Sequence, residues 1–123
     1  MTVAHVAVNV SDWDRAKGFY EPVLGRLGYR VVYEEDGVLA YFADQRGLDF
    51  GIGRRAPVGG AHVAFECDDR SAVDAFHAAA LEVGGRDNGP PGLRPQYDAN
   101  YYAAYVLDPD GNNIEAVCHH APA

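Results

Sequence analysis

The stretch that decides the fold is Ala4-His5-Val6-Ala7-Val8-Asn9-Val10-Ser11-Asp12, because the chain contains it twice. It aligns without a gap on Ala61-His62-Val63-Ala64-Phe65-Glu66-Cys67-Asp68-Asp69. The same register places Phe19 on Phe76, Leu24 on Leu81 and Gly28 on Gly85. With a slightly larger offset, AYFADQRGLDFGI (40–52) aligns on AYVLDPDGNNIEA (104–116). Because a repeat indicates architecture before any propensity argument, the chain is predicted to be two copies of one unit.

Each copy predicts the element order βαβββ, from short β-branched runs and one stretch of helical spacing. The predicted strands are 3–10, 29–33, 38–43, 48–53, 61–67, 101–107 and 113–118, and the predicted helices run from an N-cap at Ser11 to Gly28 and over 70–83. The proline-rich stretch 88–100 predicts a loop, so the strand after the second helix is poorly marked. We expect an α+β fold in a single domain, 1–123, with modules at 1–53 and 61–120 and a linker at 54–60.

Composition narrows the classes of function. The 123 residues are 48% hydrophobic and 23% charged, which is typical of one globular domain. A net charge of -8 disfavours a nucleic-acid partner, since such binding requires neutralising phosphates. No apolar run reaches the roughly 18 residues of a membrane span, so we expect a soluble cytoplasmic protein. Two cysteines, Cys67 and Cys118, are too few for a disulfide framework and are expected to be buried thiols.

Strand alternation places both repeated histidines on the face away from the helices. His5 and His62 hold equivalent positions, and Glu115 lies on the closing strand, where it can face them. Two histidines and one carboxylate predict a metal site with open coordination positions. The alternative is that each histidine is a hydrogen-bonded side chain. Repetition at the same register favours the metal site, because packing does not require it.

Four motifs, AHVAVNVSD, FYEPVLGRLGY, AHVAFECDD and DPDGNNIEAV, make the chain resemble the vicinal oxygen chelate superfamily. This superfamily includes glyoxalase I, extradiol dioxygenases, fosfomycin-resistance transferases and bleomycin-resistance proteins. The resemblance implies paired βαβββ modules in a curled mixed sheet around a cleft, with one divalent metal held by His5, His62 and Glu115. It also implies a homodimer with sites built across the two chains. Fe, Mn, Ni and Zn all suit this set of ligands.

The chain departs from glyoxalase I at Gly51, where that enzyme carries a ligand that can also act as base. The remaining candidates for the catalytic base are Asp49, Glu66 and a metal-bound hydroxide. The candidates for substrate contact are Asn9, Arg94, Tyr97, Tyr101 and Tyr105.

Two functions with small-molecule ligands, and without nucleic acid or membrane, stay open. The first is a glyoxalase-like metal-dependent enzyme, of lyase, isomerase, transferase or dioxygenase type, whose substrate chelates the metal through neighbouring oxygens. The second is a metal-free protein of the bleomycin-resistance type that binds a drug or a metabolite.

Overall fold

The computed structural model describes residues 4–47 and 49–122. Val3 and Leu48, which were predicted to open strands, lie outside these residues. The first module contains β1 (His5–Val10), α1 (Trp13–Gly25), β2 (Arg30–Glu35), β3 (Leu39–Ala43) and β4 (Asp49–Arg54). The second contains β5 (His62–Glu66), α2 (Arg70–Glu82), β6 (Arg86–Leu93), β7 (Tyr102–Leu107) and β8 (Asn113–Cys118).

The two modules have the same topology. Their strand orders are β1-β4-β3-β2 and β5-β8-β7-β6, so each module forms its own four-stranded sheet. In both sheets the first strand of the module pairs in parallel with the last, and the other pairs are antiparallel. The predicted α+β class and the tandem βαβββ modules are therefore confirmed.

The first helix begins one residue later than predicted. Asp12, rather than Ser11, is its N-cap, and the Asp12 carboxylate accepts a hydrogen bond from the Arg15 amide at 3.0 Å. Ser11 instead donates its hydroxyl to Asp110 of the second module at 2.5 Å. Both residue types can cap a helix, and the contact between modules decides between them.

The predicted loop 88–100 is wrong in its first part, because RDNGPPGL (86–93) forms β6, whereas residues 94–101 form no strand. The strand β6 lies at the edge of its sheet and pairs only with β7, where its register shifts twice, between Asp87 and Gly89 and between Gly89 and Gly92. Proline is tolerated at an edge and at a bulge, since its missing amide hydrogen costs no ladder bond there. The edge position reconciles two prolines with a strand.

The core lies where the two modules pack against each other. Phe50 and Phe65 meet across the modules with ring centroids 5.1 Å apart, and the Tyr20 hydroxyl donates to the buried Asp108 carboxylate at 2.5 Å. Both cysteines are free and buried, as predicted, and burial raises the pKa of the Cys67 thiol to about 12. No helix within residues 4–47 and 49–122 is long and apolar enough to cross a membrane.

Candidate functional site

The open face of each sheet, away from the helices, carries the repeated histidine. In β5, His62 and Glu66 are exposed, whereas Phe65 is only 5% exposed and lies in the core. In β1, His5 is exposed and Val8 is buried. Burial therefore follows the predicted alternation in the middle of both strands, whereas Val6, predicted to lie on the helix-facing side, is 39% exposed.

On the second sheet, His62 and Glu115 form the centre of the candidate site. The His62 Nε2 atom lies 3.0 Å from Glu115 Oε1, and Glu115 is 3% exposed although it belongs to the open face. The Tyr101 hydroxyl donates a short hydrogen bond to the other carboxylate oxygen, Oε2. A nearly buried carboxylate is thus held by an imidazole on one oxygen and a phenol on the other.

Burial and the same carboxylate raise the pKa of two tyrosines on this face. Burial, followed by the hydrogen bond to Glu115, raises the pKa of Tyr101 well above its ordinary value. Burial and the Glu115 charge also raise the pKa of Tyr105, which lies opposite Glu115 on β7. Both phenols therefore stay protonated at neutral pH and can act as hydrogen-bond donors.

Arg94 closes one side of this face. Its guanidinium carbon lies 5.4 Å from the centre of the Tyr105 ring, and its two terminal nitrogens donate to the Gly92 and Pro90 carbonyls at 2.7 Å each. Tyr97 is 65% exposed and meets the Tyr101 ring edge-on at 5.2 Å. The predicted substrate contacts Arg94, Tyr97, Tyr101 and Tyr105 thus border His62 and Glu115.

Glu66, a candidate base, lies at the far end of β5 from His62. Its carboxylate is 4.0 Å from the Nδ1 atom of His119, whose ring stacks edge-on against Tyr101 at 5.1 Å. Glu66 therefore joins the border of the face through His119 and lies two residues beyond Ala64, the neighbour of Glu115 in the strand register.

The first sheet has a different centre. Asp49, the other candidate base, lies directly beside His5 in the register of β1 and β4. At Gly51 the Tyr41 ring occupies the space of a side chain, since a Cβ atom there would lie 2.5 Å from Tyr41 Cε1. The same ring packs edge-on against His5 at 5.8 Å. An aromatic ring thus takes the place where the second sheet has a carboxylate.

Asn9, on the same strand as His5, is engaged by the segment between the modules. Its side-chain amide donates to the Pro57 carbonyl at 2.9 Å. The structure therefore places Asn9 against residues 55–61 rather than beside His62 and Glu115.

A single chain brings together two of the three predicted metal ligands. His62 and Glu115 are in contact, and His5 lies on the other sheet. Across the described part of the chain, no group of three or more His, Cys, Asp and Glu residues is arranged to hold a metal ion. An imidazole nitrogen and a carboxylate oxygen are suitable donors for Mn, Fe, Ni or Zn, so the pair fits a metal but needs a further donor.

The family of the chain follows from a match to a model of a protein family. The model described as the glyoxalase/bleomycin resistance protein/dioxygenase superfamily matches residues 2–116. The chain belongs to the glyoxalase/bleomycin resistance protein/dioxygenase superfamily. No curated protein matches the chain significantly.

Solved structures of this superfamily share the fold over nearly the whole chain. A glyoxalase/bleomycin resistance protein from Albidiferax ferrireducens T118 is 34% identical with a TM-score of 0.80, and the alignment covers 94% of this chain and 97% of that one. Lactoylglutathione lyase from Agrobacterium tumefaciens is 23% identical with a TM-score of 0.73, covering 95% and 92%.

A third similar structure was solved with a metal. It is an E126Q mutant of the fosfomycin resistance protein FosX from Listeria monocytogenes, in complex with Mn(II) and 1S,2S-dihydroxypropylphosphonic acid. It is 19% identical with a TM-score of 0.71, covering 99% of this chain and 90% of that one. At 23% and 19% identity, the last two likenesses establish the fold alone.

Sequence reasoning missed three residues around the site. Asn113 places its side-chain nitrogen 2.7 Å from His62 Nδ1, and Asn88 donates to Asn113 Oδ1 at 3.1 Å. Tyr41 fills the space beside Gly51. Strand alternation could have found Asn113, which shares a face with Glu115. It could not have found Asn88, because β6 was predicted to be a loop.

Proposed function

We propose that the protein is a divalent-metal-dependent enzyme of this superfamily that acts on a small substrate with neighbouring oxygens. His62 and Glu115 of one chain, together with His5 of a second copy, would hold the metal. The finer reaction class, whether lyase, isomerase, transferase or dioxygenase, stays a prediction.

The observation that supports this proposal is the state of Glu115. A carboxylate that is 3% exposed costs free energy unless it is paired and hydrogen-bonded. The His62 imidazole and the Tyr101 phenol are its hydrogen-bond partners, and Tyr105 lies opposite it on β7. His62 is exposed on the open face of the sheet. A carboxylate kept nearly buried beside an exposed histidine is suited to bind a cation that arrives from that side.

In this proposal a second copy of the chain supplies the third ligand. His5 repeats the position of His62, is exposed, and lies on a different sheet from Glu115. Symmetric dimers present the same surfaces to each other, so a partner that supplies its His5 to one site receives a His5 in return. The homodimer is thus part of the proposal.

Each side chain around the site has a proposed role that follows from its chemistry. A bound divalent cation would act as a Lewis acid toward two adjacent substrate oxygens. Tyr101 holds the Glu115 carboxylate in place through Oε2, which leaves Oε1 directed at His62. Tyr105, protonated and stacked under Arg94, offers a donor and an apolar ring to the substrate. Asp49 and Glu66 stay candidates for the base.

Elemental analysis tests the metal requirement. The protein is purified without a chelator or a metal-capturing tag, together with His5→Ala, Glu115→Ala and His120→Ala. We expect about one metal per chain in the parent and in His120→Ala, and little in the other two. His120 is the matched control because it is an exposed histidine at the end of the chain. Metal that persists in Glu115→Ala would contradict the proposed ligand set.

Co-expression distinguishes a shared site from a site within one chain. A dimer of one His5→Ala chain and one Glu115→Ala chain has one doubly damaged site and one intact site if the ligands come from both chains. Such mixed dimers should recover about one metal per dimer. If the ligands came from one chain, the mixed dimers would bind none.

The metal-free alternative has an observation in its favour. Both oxygens of Glu115 already have partners, and Tyr97, Tyr101 and Tyr105 form an aromatic border. A protein that stays free of metal after incubation with Mn²⁺, Ni²⁺ and Zn²⁺ would be a small-molecule binding protein instead, with His62 as a hydrogen-bonding side chain.

A further inference from the structure

The Arg94 guanidinium lies in a seat formed by two backbone carbonyls of β6 and the ring of Tyr105. Its terminal nitrogens donate to the Gly92 and Pro90 carbonyls at 2.7 Å each, and its carbon lies 5.4 Å from the centre of the Tyr105 ring. The backbone amide of Arg94 also donates to the Tyr101 carbonyl at 2.7 Å. Both the backbone and the charged end of Arg94 are therefore fixed beside the open face of the second sheet.

Two glycines leave the space that this seat requires. A Cβ atom at Gly92 would lie 3.1 Å from one terminal nitrogen of Arg94, and a Cβ atom at Gly89 would lie 3.3 Å from the other. A side chain at either position would therefore crowd the guanidinium. The register of β6 shifts at these same glycines, between Asp87 and Gly89 and between Gly89 and Gly92. The irregular part of the strand is thus the part that holds Arg94.

The guanidinium has no carboxylate partner within the described ranges of the chain. None of the ion pairs among residues 4–47 and 49–122 includes Arg94, and both of its side-chain hydrogen bonds go to neutral carbonyls. A guanidinium has five N–H donors, so donors remain after these two bonds and the positive charge is not neutralised. Such a fixed, planar cation matches the geometry of a carboxylate.

The seat of Arg94 lies one aromatic ring away from the proposed metal ligands. The Tyr105 ring that contacts Arg94 is also 6.4 Å, centre to centre, from the His62 ring. Tyr105 lies opposite Glu115 in the strand register. One small ligand can therefore contact Arg94 with one group and face His62 and Glu115 with another.

We propose that Arg94 determines the specificity of the protein by binding a carboxylate group of its ligand. The ligand class is then a small carboxylic acid with a pair of neighbouring oxygens next to the carboxylate. That these oxygens face His62 and Glu115 in an enzyme rests on the proposed function. The binding of a carboxylate by Arg94 does not depend on a metal.

Two substitutions separate the charge of Arg94 from its position. Arg94→Gln removes the charge, whereas Gly92→Ala keeps it and crowds a terminal nitrogen of the guanidinium. Gly92 does not have a positive φ, so the backbone there accepts alanine. Arg86→Gln is the matched control, since it removes the same charge from an exposed residue at the start of β6.

NMR titration of the full chain, freed of metal with a chelator and read from the backbone amides around Arg94, tests the proposal. The ligands are glycerate, a carboxylate beside two neighbouring hydroxyl groups, and glyceramide, its neutral counterpart. We expect the parent and Arg86→Gln to bind glycerate at least about tenfold more tightly than glyceramide. Gly92→Ala should weaken the binding of glycerate severalfold, and Arg94→Gln should remove the preference for glycerate.

Equal affinities of the parent for glycerate and glyceramide would overturn the proposal. A preference for glycerate that persists in Arg94→Gln, shown to be folded by circular dichroism, would overturn it as well. Tighter binding of inorganic phosphate than of glycerate would contradict the assignment to a carboxylate. If Arg94→Gln does not fold, Gly92→Ala decides, and an affinity for glycerate equal to that of the parent counts against the proposal.

Addition of Zn²⁺ to the same samples separates this inference from the proposed function. If Zn²⁺ tightens the binding of glycerate to the parent and Arg94→Gln still lacks the preference over glyceramide, both proposals are supported. If Zn²⁺ changes no affinity while Arg94→Gln lacks the preference, the metal function fails and the carboxylate site stands. If Zn²⁺ tightens both ligands equally in every variant, the metal function stands and the role of Arg94 fails.

Discussion

The two modules share one topology and differ at the centre of their open faces. Both begin with a histidine strand paired in parallel with the closing strand. At equivalent positions the first module has Asp49 and Gly51 where the second has Asn113 and Glu115. On both faces a tyrosine at the equivalent position, Tyr41 or Tyr105, lies near the histidine, and the second face adds the contacts of Glu115 and Asn113 with His62.

The two copies of a repeat can therefore keep the same fold while their polar side chains differ. The helix-facing residues keep their apolar character in both copies, because the two modules pack on one shared core. The open faces carry no such constraint, so one copy can hold the buried carboxylate and the other can contribute a histidine alone. Three predictions test how far the two copies are equivalent.

The largest expected effect is in the shared core. Phe19 and Phe76 occupy equivalent positions and are both fully buried, so Phe19→Ala and Phe76→Ala should each lower the free energy of unfolding by about 3–5 kcal/mol. Urea unfolding followed by Trp13 fluorescence and circular dichroism measures both. Leu81→Ala is the control, since Leu81 is 44% exposed although its equivalent, Leu24, is buried. A much smaller loss for one phenylalanine would show that the modules do not share their core equally.

A moderate effect is expected where the repeat places different polar residues. Tyr20→Phe removes the hydroxyl that donates to the buried Asp108, and should cost about 1–3 kcal/mol. His77, at the equivalent position in α2, pairs with an exposed aspartate, Asp87, at 2.9 Å, so His77→Phe should change stability little. Chemical denaturation of both variants at neutral pH gives the comparison. Equal losses would contradict a larger contribution of the Tyr20–Asp108 hydrogen bond than of the His77–Asp87 pair.

The smallest effect is expected at Gly51. A methyl group there would overlap the Tyr41 ring, so Gly51→Ala should cost about 1 kcal/mol, with the half-buried ring turning to make room. In a Tyr41→Ala background the same substitution should be neutral, and the coupling is read from a double-mutant cycle. Additive losses would mean that the ring does not determine the requirement for glycine.

Most of the fold could be predicted from the sequence because the repeat carries it. The equivalence of His5 and His62 fixed the strand faces, and the contact between His62 and Glu115 follows from that alternation. The bounds of β6 were missed because its prolines were assigned to the loop 88–100, without knowledge of which strand lies at the edge.

The rest of the site could not be predicted, since it depends on how elements meet. The contact between Asn88 and Asn113 requires β6 as well as its shifted register. The separation of His5 from Glu115 within one chain depends on how the two sheets are placed, which no local pattern records.

The proline-bearing edge of the second sheet also limits how copies of the chain can join. Pro90 and Pro91 offer no amide hydrogen, and Arg94 already occupies the Pro90 and Gly92 carbonyls. An incoming strand would therefore find two amide donors missing and two carbonyls already engaged at the middle of this edge, which disfavours growth of the sheet there. The β6 edge is thus a poor template for the open-ended strand pairing that exposed sheet edges otherwise invite.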